Sequence, residues 1–207
     1  EVVLIAPNIT NEGVIDVENG NLLLVAGQSI TISSLNYDNI EFEVQAPDNK
    51  VINMGSLLSD GGSIGLFAGS ITHTGIISAN AITVDAAGNI RFVAQADTII
   101  ENATVTATSA TGKGGHIEIL GYRVGLFGTT TVDASGTTGG GEILIGGDYL
   151  GTNPEVINAS ATAIGSNVTI KADATVNGDG GKVIVWANEV TKFCGSISAT
   201  GGSESGD

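Results

Sequence analysis

Residues 139–147 read Gly139-Gly140-Gly141-Glu142-Ile143-Leu144-Ile145-Gly146-Gly147, a short apolar strand with glycines at both ends. Related stretches recur along the chain, and their leading glycines are Gly62, Gly88, Gly114 and Gly140, which are evenly spaced. A recurrence at a fixed period of a few tens of residues indicates a repeat architecture. Because the repeated unit is a strand, the sequence predicts a solenoid of strands.

A second element follows the glycine-led strand in several repeats, as in Thr10–Val17, Thr72–Ala79, 128–135 and 192–199. We therefore predict a coil that consists of an apolar strand, a turn, a second strand with a small polar end, and a turn back. No segment has the apolar period of a helix, so the fold class is all-β, a parallel β-helix. With coils of roughly 20 to 26 residues stacked about 4.8 Å apart, the chain makes about eight to ten coils.

The alternation of side chains predicts which residues point into the coil. In residues 142–145, Ile143 and Ile145 share one face, while Glu142 and Leu144 share the other. Stacking the coils on their glycines brings one residue of each strand into an internal ladder. Its members are Ile64, Ile90, Ile117, Ile143 and Val183.

The domain prediction is a single β-helix over residues 1–207 that forms a segment of a longer protein. Its first residues read like the middle of a strand, without a basic leader. Residues 148–155 contain turn formers and interrupt the regular glycine step, which predicts a loop excursion off the rod. Smaller loops are predicted at 37–39 and 47–50.

Composition excludes several classes of protein. Seven basic residues against 22 acidic ones give a net charge of −15, which argues against nucleic acid and against an anionic membrane surface as partners. Aromatic residues make up only 4% of the chain and glycines number 31, so small and β-branched side chains must fill the core. The single Cys194 forms no internal disulfide, and we predict that its thiol is buried.

The C-terminal half resembles a known family. Three stretches are similar to the shaft of filamentous-haemagglutinin-like exoproteins, over roughly residues 110–202. They are Val132-Asp133-Ala134-Ser135-Gly136, residues 139–149 and Gly178-Asp179-Gly180-Gly181-Lys182-Val183-Ile184-Val185-Trp186-Ala187. The resemblance implies a right-handed parallel β-helix and export by two-partner secretion. The family's N-terminal secretion domain is not evident in this sequence.

An alternative interpretation is that the chain is an enzyme whose carboxylates are catalytic, since parallel β-helices also serve as polysaccharide lyases and hydrolases. Asp85, Asp133 and Asp173 each precede an alanine, and a row of them on neighbouring coils would suit acid–base chemistry. We favour turn residues whose carboxylates accept backbone N–H groups. Arg91 and Arg123 lie 32 positions apart, which does not indicate the basic cluster that an acidic sugar would require.

Metal sites have weak support. The turn Asn177-Gly178-Asp179-Gly180-Gly181 resembles a calcium-binding glycine/aspartate turn, so Asn177 and Asp179 are candidate Ca²⁺ ligands, with a plain tight turn as the favoured reading. His73 and His116 lie in different coils, and we predict surface positions on strands for both. No catalytic or cofactor-binding residue is predicted.

These observations predict a structural rod segment of a large secreted bacterial surface adhesin, which presents or scaffolds adhesive parts, with a β-helical polysaccharide-active enzyme as the alternative. The predicted partners are a host or neighbouring-cell surface, extracellular matrix or glycan, and an outer-membrane secretion partner of the parent protein. End-to-end self-association is a further expectation, because the ends of a strand stack leave backbone groups unpaired.

Overall fold

The computed structural model describes residues 1–27, 48–82 and 87–206, and within these ranges the chain folds into 21 strands arranged in three parallel seven-stranded sheets. Sheet A contains β1 (Val2–Ala6), β4 (Asn21–Ala26), β7 (Ser63–Ala68), β10 (Asn89–Ala94), β13 (His116–Leu120), β16 (Glu142–Ile145) and β19 (Lys182–Val185). Sheet B contains β2 (Ile9–Asn11), β5 (Lys50–Asn53), β8 (Ser70–His73), β11 (Asp97–Glu101), β14 (Arg123–Phe127), β17 (Ala161–Ile164) and β20 (Val190–Phe193). Sheet C contains β3 (Val14–Asp16), β6 (Ser56–Leu58), β9 (Ile76–Ser78), β12 (Thr104–Thr106), β15 (Thr131–Asp133), β18 (Thr169–Lys171) and β21 (Ser196–Ser198). The predicted all-β parallel β-helix is confirmed.

Each coil contributes one strand to each sheet, so a coil has three strands rather than the two we predicted. The predicted second element is in fact the end of a sheet B strand, a corner, and a sheet C strand. Glycine at that corner allows neighbouring coils to stack closely. A Cβ added to Gly55 would lie 2.0 Å from the carbonyl oxygen of Gly13 in the preceding coil.

The described residues form seven coils, fewer than the eight to ten that a uniform coil length predicted. One reason lies in the sixth coil, where residues 146–160 separate β16 from β17 and lengthen the step. We call this segment the coil-six loop. Six spacings of about 4.8 Å make a stack about 30 Å long.

The predicted internal ladder is present and runs through all seven coils. Val2 pairs in register with Leu22 and Leu22 with Ile64, and the series continues through Ile90, Ile117, Ile143 and Val183. Ile143 is fully buried, whereas Val183, in the last coil, is partly buried against the core. Burying a side chain of this size contributes about 1.5–3 kcal/mol, so the ladder is a main source of the stability of the fold.

A column of glycines stands beside the ladder, at the corner before sheet A. Strand register aligns Gly62, Gly88, Gly115 and Gly141. The step from Gly88 to Gly115 is one residue longer than the steps on either side of it. The constant spacing suggested by Gly62, Gly88, Gly114 and Gly140 is therefore not the spacing of the aligned glycines. A Cβ on Gly115 would lie 2.2 Å from the Gly88 carbonyl oxygen, and one on Gly141 2.1 Å from that of Gly115. The column is therefore required by the close approach of backbones.

The outer face of sheet A carries a second apolar layer. Leu144, predicted to face outward, does so but is only 3% exposed, because Val156 of the coil-six loop packs on it and on Leu120. Residues 148–155 lie between β16 and β17 without a strand of their own, and Val156 directly after them packs onto the rod. A separate outer cluster contains Leu23, Val25 and Phe67.

His73 contradicts its predicted surface position, because it is fully buried inside the coil at the sheet B corner. It continues a polar ladder in which Asn11 Nδ2 donates to Asn53 Oδ1 at 2.7 Å, and Asn53 Nδ2 lies 3.1 Å from His73 Nδ1. Side chains alternate between the two faces of β8, so Ile71 and His73 both point inward and Thr72 points outward. This alternation should have predicted an internal position for His73. Desolvation by burial lowers the pKa of His73 to about 4, so the ring is neutral.

Two predicted small loops have different outcomes. Residues 37–39 and Pro47 lie outside the described residues. At 48–50, Asp48 lies in a turn but Lys50 already begins β5. Asn49 is buried, with its side-chain amide donating to the Pro7 carbonyl at 2.5 Å, so this segment is part of the coil wall.

Candidate functional site

Charged side chains from four successive coils meet on the outer face of sheet A. His116 lies between two carboxylates: its Nε2 is 3.0 Å from Glu118 Oε1, and its Nδ1 is 3.3 Å from Glu142 Oε2. Arg91 donates to Glu118 from the preceding coil, and Lys182 donates to Glu142 at 2.6 Å from the following coil. We call these five residues the ionic column.

The ionic column favours the charged forms of His116, Glu118 and Lys182. Burial alone would lower the pKa of His116, but the hydrogen bond and charge of Glu118, with the charge of Glu142, outweigh it and raise that pKa. Burial would raise the pKa of Glu118, but His116 and Arg91 lower it overall. Hydrogen bonding to Glu142 raises the pKa of Lys182. The column thus consists of alternating, mutually neutralising charges that join coils four to seven.

A groove of about 660 Å³ runs beside the column, across the coils. The glycine pairs 114–115, 140–141 and 180–181 line it. His116, Glu142 and Lys182 of the column also line it, together with Lys113, Thr138 and Asp179. The groove therefore has charges of both signs in its lining.

The coil-six loop closes the far side of this face and is held in place by several hydrogen bonds. Asp148 Oδ1 accepts from the Tyr149 N–H at 2.6 Å, and Asp148 Oδ2 accepts from Asn153 Nδ2 at 2.9 Å. Lys182 Nζ lies 3.4 Å from Asp148 Oδ1, which ties the loop to the column. These bonds to Asn153 and Tyr149 lower the pKa of Asp148 and keep it ionised.

The row of aspartates that the enzyme alternative required does not form among the described residues. Asp133 pairs in register with Lys171, whereas Asp173 lies two positions further along its coil. Asp133, the last residue of β15, accepts from the Ser135 N–H at 2.8 Å, which is the local backbone bond that we favoured. Asp173 instead accepts from the Thr200 N–H of the next coil at 2.8 Å. Asp85 lies outside the described residues.

The candidate calcium ligands lie in a tight turn. Gly178, between Asn177 and Asp179, has a φ of +85°, which explains why glycine occupies it. Asn177 forms a bridge to Ser205 of the last turn, and the Asp179 carbonyl accepts from the Gly140 N–H at 3.1 Å. Over residues 1–27, 48–82 and 87–206, no three His, Cys, Asp or Glu side chains form a group that would hold a metal. Calcium binding at Asn177 and Asp179 stays an untested prediction.

From the sequence we predicted a surface position for His116, but not the ionic column around it. Two signals were present. His116 and Glu118 have the same parity in one strand, so they share a face. Glu142 follows His116 by one full repeat of the glycine pattern, which places it directly opposite in the next coil. His116 itself is confirmed on the outer face, with 31% of its side chain exposed.

Cys194 is exposed, which contradicts the predicted buried thiol. It follows β20 in the last coil, at the corner before β21, where no further coil of the described residues covers it. Position in the stack, which a single repeat does not encode, explains the difference.

The chain is similar to a solved structure, the secretion domain of HMW1 from Haemophilus influenzae. The two share 33% sequence identity with a TM-score of 0.86, over 95% of this chain and 54% of that one. The chain thus spans about half the length of the domain that it matches. No protein-family model matches the sequence, and no curated protein does.

This similarity confirms the resemblance to the filamentous-haemagglutinin-like exoproteins of two-partner secretion. It also corrects one expectation. The sequence showed no sign of the family's N-terminal secretion domain. The structural match, however, is to a secretion domain and extends over nearly the whole chain. Within the described ranges, the structure contains no helix whose length and hydropathy would suit a membrane span.

Proposed function

We propose that this chain is a β-helical segment of a large secreted bacterial surface adhesin. An outer-membrane partner exports the parent protein by means of this segment, and the segment carries the adhesive parts of that protein. The observation that supports this best is the match to a secretion domain at 33% identity over 95% of the chain. The seven-coil stack adds a mechanical argument. Three sheets and a buried ladder run through all seven described coils, which suits a rod that carries load along its axis.

The proposed location is the outer surface of a bacterium or its surroundings. The proposed adhesive partners are a host or neighbouring-cell surface, extracellular matrix or glycan. A net charge of −15 suits a secreted rod, because mutual repulsion keeps such rods apart and soluble.

The alternative, a polysaccharide-active enzyme, has one observation in its favour. The groove beside the ionic column brings two carboxylates, His116 and basic side chains together. Against it, a general acid needs a carboxyl group that stays protonated near neutral pH. In the groove, Glu142 accepts from Lys182 at 2.6 Å and lies 3.3 Å from His116, so its carboxylate serves as a structural counter-ion. The non-enzymatic role is the better proposal.

Secretion of the parent protein tests the proposed function. The full-length parent and its outer-membrane partner are expressed together, and the parent is measured in the medium and at the cell surface. We expect deletion of residues 1–207 to abolish export, and Ile143→Asp, in the core ladder, to impair it. Thr72→Asp, which introduces the same carboxylate at an exposed position of β8, is the matched control and leaves export intact. Export that is indifferent to the deletion would contradict the proposal.

An assay on acidic glycans tests the alternative. We expect no cleavage of pectin or alginate by the folded chain, and no difference between the wild-type chain and Asp133→Asn or Glu142→Gln. Turnover that either substitution abolishes would favour the enzyme.

A further inference from the structure

The chain contains two Asn-Gly dipeptides, Asn19-Gly20 and Asn177-Gly178. Both lie at the corner between sheets C and A, after β3 and after β18 respectively. Such dipeptides are labile, because the backbone nitrogen of the glycine attacks the side-chain amide carbon of the asparagine. Glycine has no Cβ to shield that nitrogen and lets the backbone rotate into the geometry of attack. The contacts around each dipeptide therefore decide whether it reacts.

The Asn19-Gly20 peptide is held by hydrogen bonds at the atoms that would have to move. The Gly20 N–H donates to the Val17 carbonyl at 3.3 Å, so the attacking nitrogen is engaged within the turn. The Gly20 carbonyl accepts from the Ser59 hydroxyl at 2.6 Å and from the Ser63 N–H at 3.2 Å, in the turn that stacks on it. Attack would break the first bond and disturb the other two, so the fold protects Asn19.

The reacting atoms of Asn177-Gly178 are not restrained in this way. Within the described part of the chain, neither the Gly178 N–H nor the Asn177 Nδ2 group takes part in a hydrogen bond. Asn177 is half-buried, and Gly178 has a φ of +85° that its lack of a Cβ permits. The attacking nitrogen and the leaving amino group are thus both available.

Ser205 places a donor at the third reacting atom. Its hydroxyl lies 3.4 Å from Asn177 Oδ1, and a β-bridge between the two residues keeps it there. When the Gly178 nitrogen adds to Asn177 Cγ, negative charge develops on Oδ1. A hydroxyl held beside that oxygen stabilises the charge as it forms, and the contact shortens from its long ground-state distance at that moment.

We propose that Asn177 is a site of spontaneous deamidation, with the Gly178 nitrogen as the nucleophile and the Ser205 hydroxyl as the donor to the oxyanion. The Gly178 N–H loses its proton to solvent base, and the nitrogen bonds to Asn177 Cγ. The Cγ–Nδ2 bond then breaks, and the amino group leaves as ammonia with a proton from solvent. Water opens the resulting five-membered imide at either of its carbonyls, which gives aspartate or isoaspartate.

Conversion alters the contacts of this turn. Both products add a carboxylate two residues from Asp179, and isoaspartate also inserts a methylene group into the backbone. The Gly178 carbonyl accepts from the Gly202 N–H at 2.9 Å, and the Glu204 N–H donates to the Val176 carbonyl at 2.8 Å. A longer backbone at position 177 shifts both acceptors, so isoaspartate loosens residues 202–206 from the coil. This chemistry needs only the folded chain and does not depend on the proposed function.

Mass spectrometry of peptides tests the inference. The folded chain is incubated at mildly alkaline pH, and conversion of Asn19 and Asn177 is followed in the same sample, with fragmentation that distinguishes aspartate from isoaspartate. We expect Asn177 to convert at least about fivefold faster than Asn19, the factor that one hydrogen bond at the Gly20 nitrogen gives. In urea the two rates should become similar. Equal rates in the folded chain, or a difference that persists in urea, would overturn the inference.

Substitution of Ser205 tests the role of its hydroxyl. Ser205→Ala should slow the conversion of Asn177 in the folded chain and leave Asn19 unchanged, whereas Ser205→Thr keeps the hydroxyl and should retain the wild-type rate. Ser203→Ala is the matched control, because the Ser203 hydroxyl donates to the Thr175 carbonyl at 3.3 Å and not to Asn177. A Ser205→Ala chain that converts at the wild-type rate would overturn the proposed mechanism.

Discussion

His116 and Glu142 lie directly opposite each other in neighbouring coils, and the imidazole Nδ1 is 3.3 Å from the Glu142 Oε2 atom. Because the other ring nitrogen faces Glu118, both nitrogens point at carboxylate oxygens and the ring is stabilised as the imidazolium. The ionic column is therefore a chain of alternating charges that crosses coil boundaries on the face where the groove and the coil-six loop also lie.

The first prediction is that the two histidines titrate on opposite sides of the ordinary value of 6.5. Carboxylates raise the pKa of His116, whereas burial lowers that of His73 to about 4. NMR titration of the imidazole protons measures both, and His116→Gln assigns the signals. Two coincident titrations near 6.5 would contradict the ionic column and the buried ladder alike.

The second prediction concerns acid stability. His73 has a folded pKa below its unfolded value, so its contribution is present above pH 6.5 and is lost as pH falls toward 4. The linkage amounts to about 2 kcal/mol at pH 5. His73→Asn extends the ladder of Asn11 and Asn53 with a side chain that does not titrate.

The comparison is made between pH 7 and pH 5, using denaturant midpoints. We expect the wild-type chain to lose more stability over this interval than His73→Asn does, whatever the absolute cost of the substitution. Equal losses would assign the acid sensitivity to carboxylates alone.

The third prediction concerns alkaline conditions. The folded pKa of His116 is raised, so its stabilisation is complete below pH 6.5 and is lost as pH rises through the folded value. The effect should stay below about 1 kcal/mol, because the ring is partly exposed and screened. The denaturant midpoints at pH 6 and pH 9 should differ less for His116→Gln than for the wild-type chain. For the wild-type chain, this difference between the two pH values should also shrink at 1 M salt.

The fourth prediction concerns the glycine column. Gly115→Ala places a Cβ 2.2 Å from the Gly88 carbonyl oxygen, so it should cost about 1–3 kcal/mol through overpacking. Gly13→Ala is the control, since the nearest atom to its added Cβ is 3.9 Å away. Thermal unfolding of both variants measures the difference, and equal midpoints would mean that the coils are spaced more widely.

The fifth prediction concerns the ends of the stack. The first coil exposes Ile5 and Val14, and the last exposes Val190, Phe193 and Ile197, beside sheet edges that no strand of the described residues pairs with. Isolated chains should associate end to end, opposed by their charge of −15. Raising salt from 0.1 to 1 M shortens the screening length from about 10 to about 3 Å, so light scattering should increase. A monomer at every salt concentration would show that the ends do not attract.

Much of the fold follows from local pattern. The alternation in residues 142–145 predicted that Ile143 is internal, and the spacing of glycines predicted stacked coils, because parity and period are properties of the linear chain. Alternation and repeat spacing predicted the candidate site only in part. They placed His116 on the outer face, but not beside Glu142, since that contact depends on the register between coils and a one-residue change in step moves every partner.

Position within the stack was decided by the tertiary structure alone. Cys194 is exposed because no coil of the described residues stacks on its own coil, and Leu144 is buried because a loop packs over it. His73 is internal because its Nδ1 has polar partners at the corner before Gly75, namely the side-chain amide of Asn53 and the Gly75 N–H. A repeat sequence specifies which face a side chain takes within its own coil, whereas burial depends on what stacks above, below and outside that coil, and those neighbours are set by contacts between residues far apart in the chain.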